Sequence, residues 1–508
     1  MILESLRESK MRQKISADML YNYVQCPHRL YLDIFEDLSK RDPESAFMKL
    51  LWERGIDFEK QVIVESKKPF LDLSVYTGLE KEARTREALR QGVTLIYSGR
   101  ISTDNLVGEP DLLLKQDGGY IAGDIKSGSA LEGENNESEG KLKIHYAIQL
   151  GLYTDILEQL NYSSSKIPFI HDIKGRDVIY DLVQSRGKRV QMNWWDLYLQ
   201  ILSEVQQVLE KKITTSPAHQ GACKLCHWRT YCLKSLITAK DLTLIPELGR
   251  KKRDIMHQQL KKFTDFAHKS FQEFVIGKKT IFPSIGISTL YKYHARARLL
   301  AQIDKEAYTR KKIKLPQTDT ELFFDVETDP MRDFCYLHGF VERHHRDPAT
   351  EKYVPFFADK ADEKQEERIF IDAWHYIKQH FPCNVYYYSP YEKTIWKRLN
   401  EKYPEIITSS ELEAFFKSPL VIDLYSDIVR KYTEWPTYSY SVKDLAQYLG
   451  FRWRDEHPSG AESIEWYHRW LEQERLGIKK RILQYNEDDC IAMQVLLEGI
   501  QELPIKNH

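Results

Sequence analysis

The sequence has almost no excess of charge of either sign, and it has no long hydrophobic run. Its 508 residues carry 74 lysines and arginines against 75 aspartates and glutamates, a formal net charge of −1. That balance argues against a protein that coats nucleic acid through bulk positive charge, but it allows an enzyme in which acids and bases cancel. No apolar stretch approaches the roughly 20 residues of a membrane helix, and no apolar core follows the basic residues of the N-terminal MILESLRESKMRQK. We therefore expect a cytoplasmic protein with no membrane partner.

Cysteine is scarce as well. The chain has seven cysteines, and disulfides are not expected among them in a reducing compartment. Four have a spacing typical of metal ligands, one near the N-terminus and three close together as C-x2-C-x5-C. These four are Cys26, Cys223, Cys226 and Cys232. A zinc site, with His219 or His227 as alternatives to one thiolate, and an iron–sulfur cluster both suit such a set.

The pattern of elements divides the chain into three regions. Residues 1–236 open with a helical pattern from Asp18 to Phe35 and continue with short β-rich runs that lead into helical segments. Residues 316–508 begin with an apolar strand and alternate strands with helices, whereas residues 237–315 are short, helical and basic. Strands followed by helices predict an α/β fold for the two larger regions.

Positive charge is concentrated in the middle region. Between Arg250 and Lys314 there are 17 lysines and arginines against 5 aspartates and glutamates. Such an excess is typical either of a solvated helical linker or of a module that contacts phosphate groups. Gly249 and Gly286 each precede a basic helical segment, an arrangement that weakly resembles a helix-hairpin-helix element, whose backbone amides hold a phosphate. The predicted nucleic-acid contacts are Lys251, Lys252, Arg253, Arg296 and Arg298.

Two acids and a lysine in the first region form a candidate metal site. Asp111 stands at the start of an apolar strand, and Asp124 and Lys126 lie two residues apart in the next strand, so their side chains share a face. The intervening turn sequence KQDGG predicts a hairpin that brings Asp111 beside this pair. Two carboxylates suit Mg²⁺ or Mn²⁺, and a lysine near the ion can orient a water molecule and stabilise phosphate charge.

A second set of acids lies in the last region. Asp325 and Glu327 end an apolar run and share one strand face, and Tyr485 lies four residues before Asp489 in a helical pattern. Two divalent ions about 4 Å apart can clamp the attacking water and the leaving oxygen of a phosphodiester, and they need several carboxylates to hold them. The set therefore predicts a second phosphodiesterase site.

The first set resembles the motif of the PD-(D/E)XK nucleases. Pro110-Asp111 and Asp124-Ile125-Lys126 match the two parts of this motif in sequence and in spacing. The resemblance implies a restriction-endonuclease-like domain over residues 1–236, in which Lys126 completes the catalytic set.

Two flanking elements resemble the RecB-like branch of these nucleases. That branch has a glycine four residues before a histidine or glutamate that contributes a further metal ligand, and Gly55 precedes Glu59 in this way. It also has a Gln-x3-Tyr helix beside the catalytic residues, which Gln149 and Tyr153 match. The resemblance implies that Glu59 binds the metal ion and that the other two residues support the site or contact DNA.

The cysteines resemble those of the iron–sulfur members of the same branch. In those nucleases an N-terminal Cys-Pro and a distant C-x2-C-x5-C after the nuclease core hold a 4Fe–4S cluster, and this chain has the same order. The resemblance implies a cluster in preference to zinc. The cluster would join Cys26 to Cys232, close a loop of about two hundred residues and serve a structural role.

The second set of acids resembles the motifs of the DEDD exonucleases, which have the RNase H-like fold. Asp-x-Glu opens their first motif, and their third is Tyr-x3-Asp, in which the tyrosine orients the attacking water. Most members have an aspartate in the second motif, where this chain offers Glu392, and Asp423 is a candidate to stand in for it. Glu487 and Asp488, next to the third motif, are expected to be solvated helix charges.

As a whole, the chain resembles RecB-family nucleases that carry a fused RNase H-like domain and are in some cases joined to a superfamily 1 helicase. The resemblance implies a Mg²⁺- or Mn²⁺-dependent DNA nuclease with two candidate sites, acting in repair, recombination or defence.

The favoured substrate is single-stranded or frayed DNA, with RNA as an alternative, because an aromatic content of 12% provides stacking surfaces. A helicase partner is expected to unwind duplexes, since the sequence has no G-x4-G-K-[S/T] motif of an ATP-driven motor. A nuclease with one degenerate domain and a nucleic-acid-binding scaffold remain the alternative functions.

Overall fold

The structure is a computed structural model that describes residues 13–66, 69–133, 140–187 and 190–506. The N-terminal residues 1–12, considered above for a secretory signal, lie outside these ranges. Contacts divide the described residues into two compact units. The first is drawn from Met1–Glu44, Met48–Pro217 and Ala222–Tyr231, and the second from Ser45–Phe47, Ala218–Gly221 and Cys232–His508. Within the described ranges, no helix is long and apolar enough to cross a membrane.

The first unit is built around a mixed six-stranded sheet. The strands of the unit are Ile15–Ser16 (β1), Leu71–Asp72 (β2), Leu95–Tyr97 (β3), Ile101–Ser102 (β4), Leu106–Gly108 (β5), Leu112–Gln116 (β6), Gly119–Ile125 (β7), Leu131–Glu132 (β8), Lys141–Leu142 (β9), Phe169–His171 (β10), Asp177–Ile179 (β11), Ser185–Gly187 (β12) and Val190–Asn193 (β13). The order in the large sheet is β11-β10-β7-β6-β3-β2, and β1, β5 and β4 form a smaller sheet. Every residue of β7 is buried, as expected of a central strand.

The helices of this part of the chain are Ala17–Gln25 (α1), Pro27–Phe35 (α2), Ala46–Glu65 (α3), Gly78–Gln91 (α4), Ile144–Gln159 (α5), Trp194–Leu209 (α6) and Arg229–Ala239 (α7), of which α3 begins and α7 ends in residues of the second unit. α5 packs against β7, and α1 packs against α5 and α6. The central position of α5 explains why nine of its residues, from Ala147 to Leu157, are buried.

The sequence pattern predicted one helix from Asp18 to Phe35, but the structure has two, separated at Cys26. Pro27 is the first residue of α2. Proline has no N–H group and disfavours the helical conformation of the residue before it. Cys26 is accordingly extended, with φ −164° and ψ 114°, and it caps the start of α2.

The second unit contains a five-stranded sheet of order β19-β18-β17-β20-β21. The strands of the unit are Val275–Ile276 (β14), Lys279–Thr280 (β15), Tyr308–Thr309 (β16), Thr320–Asp329 (β17), Phe334–His344 (β18), Asp347–Phe357 (β19), Asn384–Tyr387 (β20), Val421–Asp423 (β21) and Thr433–Glu434 (β22). β17, β18 and β19 are antiparallel neighbours, whereas β17, β20 and β21 run parallel. Both units thus combine helices with sheets, as the α/β prediction required.

The helices of the second unit lie before, between and after the strands of this sheet in sequence. They are Gly249–Met256 (α8), Phe263–His268 (α9), Ile287–Leu300 (α10), Glu363–His380 (α11), Tyr391–Lys402 (α12), Ser409–Lys417 (α13), Arg430–Tyr432 (α14), Val442–Tyr448 (α15), Gly460–Gln473 (α16) and Leu476–Glu502 (α17). α17 packs against β17 and β18. Helices α8 to α10 share a core that includes Leu242, Phe266, Phe274 and Leu290, so the middle region is a packed module and not a solvated linker.

Candidate functional site

The first candidate site lies on the hairpin of β6 and β7. The two strands are antiparallel, with Leu112 opposite Gly123, which confirms the predicted hairpin. Asp117 and Gly118 form its turn with positive φ angles of 50° and 82°, a conformation that matches the right-handed twist of a two-residue hairpin. The turn therefore fixes the register between the start of β6 and the end of β7.

This register brings Asp111, Asp124 and Lys126 together. The Asp111 N–H donates to Asp124 Oδ1 at 3.2 Å, and the Ile125 N–H donates to Asp111 Oδ2 at 2.7 Å. Lys126 Nζ lies 2.7 Å from Asp124 Oδ2 and 3.9 Å from Asp111 Oδ2. The Asp124 side chain is 1% exposed and that of Lys126 is 25% exposed, so the lysine lies between the buried acid and solvent.

The electrostatics of this site are those of crowded, buried acids. Burial and the neighbouring Asp124 carboxylate raise the pKa of Asp111 well above its usual range. Burial alone lowers the pKa of Lys126, but the two aspartates outweigh it and the net effect is a raised pKa. A buried carboxylate pair favours a cation beside it, because a positive charge removes the repulsion.

Glu59 lies on α3, where burial raises the pKa of its carboxyl group. The Tyr97 hydroxyl donates a hydrogen bond to it, and the charges of Lys126 and Asp124 act on it as well. Glu59 is thus near the hairpin acids. Oxygen ligands from these three acids suit Mg²⁺ or Mn²⁺, and such an ion supplies Lewis-acid activation of a phosphodiester and its attacking water.

Gln149 and Tyr153 share one face of α5, as predicted. Gln149 Nε2 donates to the Tyr153 hydroxyl at 2.9 Å, and that hydroxyl donates to the Glu109 carbonyl at 3.4 Å. Burial, followed by the charge of Asp124, raises the pKa of Tyr153 well above its usual range. The pair lies beside the acids, and its hydroxyl stays protonated as a donor.

Sequence reasoning missed Lys81 at this site. The side chain is buried on α4, with Nζ donating to Ser98 Oγ at 2.9 Å and lying 3.4 Å from Glu109 Oε2. Its charge lowers the pKa of Glu59, although burial raises that pKa by more. The sequence EKEARTRE around Lys81 is typical of an exposed charged helix. Only the burial of Lys81 in the folded structure distinguishes it from the neighbouring charged residues.

The second candidate site joins β17 to α17. Among the residues that the structure describes, Asp325, Glu327 and Asp489 are the one group of three or more potential metal ligands whose ligand atoms all lie within 4.8 Å of one another. Asp325 and Glu327 stand two residues apart on β17, and Asp489 projects from α17. The acids predicted from two distant motifs therefore converge.

Hydrogen bonds hold each of these acids. Asn486 Nδ2 donates to Asp325 Oδ2 at 2.6 Å, and Trp453 Nε1 donates to Asp489 Oδ1 at 2.7 Å. The Tyr336 hydroxyl donates to a Glu327 carboxylate oxygen at 3.3 Å. The carboxylates are thus oriented before any ion arrives.

Repulsion within this group is strong. Burial, and then Asp489, raises the pKa of Glu327 to about 8. Burial followed by the carboxylates of Asp489, Glu327 and Glu392 raises the pKa of Asp325 well above its usual range. This donor set fits divalent cations, which suit oxygen ligands and supply charge neutralisation.

The geometry distinguishes Glu392 from Asp423. Glu392 lies on α12 at 3% exposure, and within the described ranges its Oε2 has no hydrogen-bond partner. Asp423 Oδ1 instead accepts the backbone N–H groups of Ser389 and Ser426, both at 2.9 Å. The charge of Glu392 therefore acts on Asp325, but among the described residues Glu392 is not part of the group within 4.8 Å, whereas Asp423 has a capping role.

Tyr485 lies beside Asp489 on α17, and its side chain hydrogen-bonds to that carboxylate. Lys443 Nζ donates to the Tyr485 hydroxyl at 2.8 Å. The charge of Lys443 also lowers the pKa of Glu327 and Asp489, against the larger effect of burial. Sequence reasoning missed this lysine for two reasons. It is 42 residues from Tyr485, and its segment SVKDL matches no catalytic or metal-binding motif.

The expectation that Asp488 is a solvated helix charge is wrong. Asp488 is 2% exposed. Its carboxylate accepts the Arg454 backbone N–H at 2.9 Å and Arg454 Nε at 2.7 Å, so a guanidinium neutralises it. Glu487 is partly exposed and pairs with the same arginine at 2.6 Å.

The first unit brings three of the four candidate cysteines near one another. Burial raises the pKa of the Cys226 thiol, and the thiols of Cys223 and Cys26 add to the effect. The Trp228 N–H donates to Cys226 Sγ at 3.5 Å, an orientation suited to a sulfur that binds metal. Cys232 follows on α7.

The alternative zinc ligand His227 has another partner. His227 Nε2 is 2.7 Å from Asp33 Oδ1, which also accepts Trp228 Nε1 at 2.8 Å. His219 donates its backbone N–H to the Thr243 hydroxyl at 2.9 Å.

The basic residues proposed from sequence as nucleic-acid contacts differ in exposure. Lys251 is exposed, and Lys252 and Arg298 are partly so. Arg253 and Arg296 are buried. Arg253 forms ion pairs with Asp241 and Asp254. It therefore has a structural role and is not exposed to contact a phosphate.

Comparison with models of known protein families matches two separate parts of the chain. Residues 28–233 match the PD-(D/E)XK nuclease superfamily, and residues 322–501 match the RNase H superfamily. These ranges contain the first and the second acidic site respectively. No curated protein matches the chain. The protein thus carries a PD-(D/E)XK nuclease superfamily domain followed by a C-terminal RNase H superfamily domain.

Proposed function

We propose that the protein is a Mg²⁺- or Mn²⁺-dependent exonuclease with two phosphodiesterase sites, acting on single-stranded or frayed DNA. Two nuclease-superfamily domains support a metal-dependent phosphodiester hydrolase with a nucleic-acid substrate. The observation that carries the proposal is the convergence of Asp325, Glu327 and Asp489 within 4.8 Å. Such a set is needed to hold two divalent ions for phosphodiester hydrolysis.

In the first site, Glu59, Asp111 and Asp124 are the proposed metal ligands. Lys126 is 2.7 Å from Asp124, in position to orient the attacking water and to stabilise charge on the phosphate. The Tyr153 hydroxyl, held by Gln149, is a donor for the site or for a DNA phosphate.

In the second site, Glu392 joins Asp325, Glu327 and Asp489 as a proposed ligand. Its Oε2 is buried and has no hydrogen-bond partner among the residues that the structure describes, which supports this role. Tyr485 is the proposed water-orienting group, since its hydroxyl contacts both Lys443 and Asp489.

Separate inactivation of the sites tests the proposal. Lys126→Ala, Asp325→Ala and the double variant are assayed with Mn²⁺ on 5′- and 3′-labelled DNA and RNA, single- and double-stranded. We expect each single variant to retain cleavage and the double variant to have none. The exposed Lys115→Ala on β6 and Asp347→Ala on β19 are matched controls that should cleave normally.

Other outcomes would favour the alternatives. Loss of all cleavage in Lys126→Ala alone would show that the second site is silent on these substrates. Salt-sensitive binding without metal-stimulated cleavage would replace the enzyme with a nucleic-acid-binding scaffold. The position of the label retained in the products gives the polarity of digestion.

We also propose that Cys26, Cys223, Cys226 and Cys232 hold a 4Fe–4S cluster. The proximity of the first three thiols and the N–H donor to Cys226 support it. Anaerobically purified protein should contain iron and absorb at about 400 nm. Cys223→Ser should lose both signals and Cys383→Ala, which changes a buried thiol elsewhere, should keep them. Stoichiometric zinc without iron would refute the cluster.

The remaining parts of the proposal concern organisation and pathway. We propose three domains, 1–236, 237–315 and 316–508, and a role in repair, recombination or defence together with a helicase partner. Blunt duplex DNA should resist digestion until a helicase is added, and rapid digestion without one would contradict that partnership.

A further inference from the structure

A cavity of about 280 Å³ lies in the second unit beside α10, and none of its lining residues belongs to either acidic site. Four cationic side chains and one carboxylate contribute to its lining, those of Lys252, Lys292, Arg296, Arg430 and Glu247. The cavity therefore has a positive excess in a chain whose total charge is close to zero.

The amino-terminal turn of α10 also lines this cavity, through Ser288 and Thr289. The residue before the helix is Gly286, which provides no side-chain hydrogen bond to its first amide groups. The first N–H groups of a helix have no partner within the helix and carry partial positive charge. An anion in the cavity would meet these amides and the two hydroxyls.

Arg296 gives an independent indication of a ligand. Its side chain is 0% exposed, with Nε 2.8 Å from Glu434 Oε2 and Nη1 2.9 Å from Glu247 Oε2. Its Nη2 is also buried, and in the described part of the chain it has no hydrogen-bond partner. A buried guanidinium N–H without an acceptor is unfavourable. Because Arg296 lines the cavity, an anion there is a candidate acceptor.

The one carboxylate in the lining is already neutralised. Glu247 pairs with Arg296 at 2.9 Å and with Arg430 Nε at 3.0 Å. The lysines donate to uncharged oxygens: Lys252 to the Tyr293 hydroxyl at 2.5 Å, and Lys292 to the Arg430 carbonyl at 3.4 Å. Their charges are thus available to an incoming anion.

We propose that this cavity binds a phosphate group of the nucleic-acid substrate. Ser288, Lys292 and Arg296 follow one another at four-residue intervals, so they share one face of α10 and can contact the same group. The volume is below that of drug-sized ligand sites, so the cavity suits a phosphate with its adjoining sugar and not a whole dinucleotide. The identity of the substrate, though not the affinity for phosphate, rests on the proposed nuclease function.

Binding of fluorescent single strands to the full chain in EDTA tests this site. The strands carry either a 5′-phosphate or a 5′-hydroxyl, and anisotropy is followed over a salt series and with inorganic phosphate as competitor. Lys292→Glu should weaken binding roughly 10-fold and reduce the salt slope by about 1, whereas Lys292→Arg should retain it. Lys278→Glu, an exposed lysine between β14 and β15, is the matched control and should bind as wild type.

The two strands distinguish the sources of the phosphate. Weakening confined to the 5′-phosphorylated strand assigns the cavity to a strand end, and equal weakening of both assigns it to an internal phosphodiester. Either result supports the proposal. Competition by inorganic phosphate with no effect of Lys292→Glu on either strand would overturn the nucleic-acid assignment. An equal loss in Lys278→Glu would overturn it as well, since bulk charge would then explain the binding.

Ser288→Glu provides a second variant in case Lys292→Glu does not fold, because Ser288 is exposed at the helix start. Cleavage with Mn²⁺ is measured on the same preparations. If no preparation cleaves but the variants weaken binding, the nuclease function fails and the phosphate site stands. If all cleave and neither variant alters affinity or salt slope, the phosphate site fails and the nuclease function stands.

Discussion

At the residue scale, Gly339 controls how closely α17 approaches the sheet of the second unit. It stands on β18 directly opposite Asp325. A Cβ atom at this position would overlap the side-chain amide of Asn486. That amide donates to Asp325 at 2.6 Å and accepts from the Tyr353 hydroxyl at 2.8 Å. The absence of a side chain at Gly339 is therefore a condition for the orientation of a proposed metal ligand.

Gly339→Ala should inactivate the second site. The added methyl group displaces Asn486, and Asp325 loses a charge-assisted hydrogen bond, so we expect a loss of at least about 10-fold in cleavage by that site together with about 2 kcal/mol of stability. Cleavage is measured in a Lys126→Ala background. Gly477→Ala, near the open start of α17, has nothing within 4 Å of its new Cβ and should leave both quantities unchanged.

His338, the neighbour of Gly339, predicts a dependence of stability on pH. Burial lowers its pKa from 6.5 to about 3. Between these pH values the imidazole is protonated in the unfolded chain and neutral in the folded chain. The contribution of His338 to the free energy of unfolding is therefore fully present above pH 6.5 and decreases as the pH falls. From pH 7 to pH 5 the wild type should lose about 2 kcal/mol more than His338→Gln, measured by urea unfolding of the second unit. Parallel curves would show that His338 does not titrate in this way.

At the element scale, the hairpin of β6 and β7 positions the whole first site. Its two central turn residues have positive φ, and Gly119, which begins β7, lies against backbone. A Cβ on Gly119 would come 2.7 Å from the Ser164 nitrogen and 2.8 Å from the Tyr162 carbonyl oxygen. The close approach of this hairpin to a neighbouring loop is what determines the position of its tip.

Alanine at the two adjacent glycines should separate turn strain from packing. Gly118→Ala meets no atom within 4 Å, so only its φ of 82° is unfavourable, at a cost of about 1 kcal/mol with cleavage retained. In Gly119→Ala the new methyl group collides with backbone atoms that cannot move independently. We expect the free energy of unfolding to fall by about 3 kcal/mol and the first site to lose cleavage. Thermal unfolding and Mn²⁺-dependent cleavage in an Asp325→Ala background measure both. Equal effects of the two substitutions on stability and cleavage would show that the loop at Tyr162 and Ser164 moves to accommodate the methyl group.

At the scale of the whole molecule, the two units have separate hydrophobic cores. The cores of the first unit lie between Ile15 and Val208, and those of the second unit begin at Leu236. Unfolding should therefore show two transitions, because each core can be lost without the other.

Cys223→Ser should lower the transition of the first unit. Three of the four proposed cluster ligands belong to that unit, and the fourth, Cys232, belongs to the second. If the proposed cluster stabilises the first unit, the substitution lowers the midpoint of its transition by several degrees. Differential scanning calorimetry under anaerobic conditions measures this. An unchanged midpoint of the first unit would contradict a cluster that stabilises it.

The sequence predicted those parts of the fold and of the sites that depend on the spacing of residues close together along the chain. The D-x-K strand, the KQDGG turn, the Gln149–Tyr153 helix face and the Asp-x-Glu strand all depend on neighbours within a few residues. Burial and long-range pairing are not encoded in such spacing. Lys81, Lys443 and Asn486 approach the acids only through tertiary packing, and the burial of Asp488 depends on Arg454, 34 residues earlier.

The crowding of carboxylates in the second unit has a practical consequence for identifying its ion. Repulsion among buried acids destabilises the folded chain in a chelator, and a bound cation stabilises it by about 2.7 kcal/mol at 100 times its dissociation constant. The melting temperature should therefore rank Mg²⁺, Mn²⁺ and Ca²⁺ with no substrate present. Asp325→Asn should raise the melting temperature in EDTA and abolish the response of the second unit to metal. The carboxylates proposed to bind the ions for hydrolysis are thus also a source of instability, and that instability makes a bound cation detectable before any substrate is known.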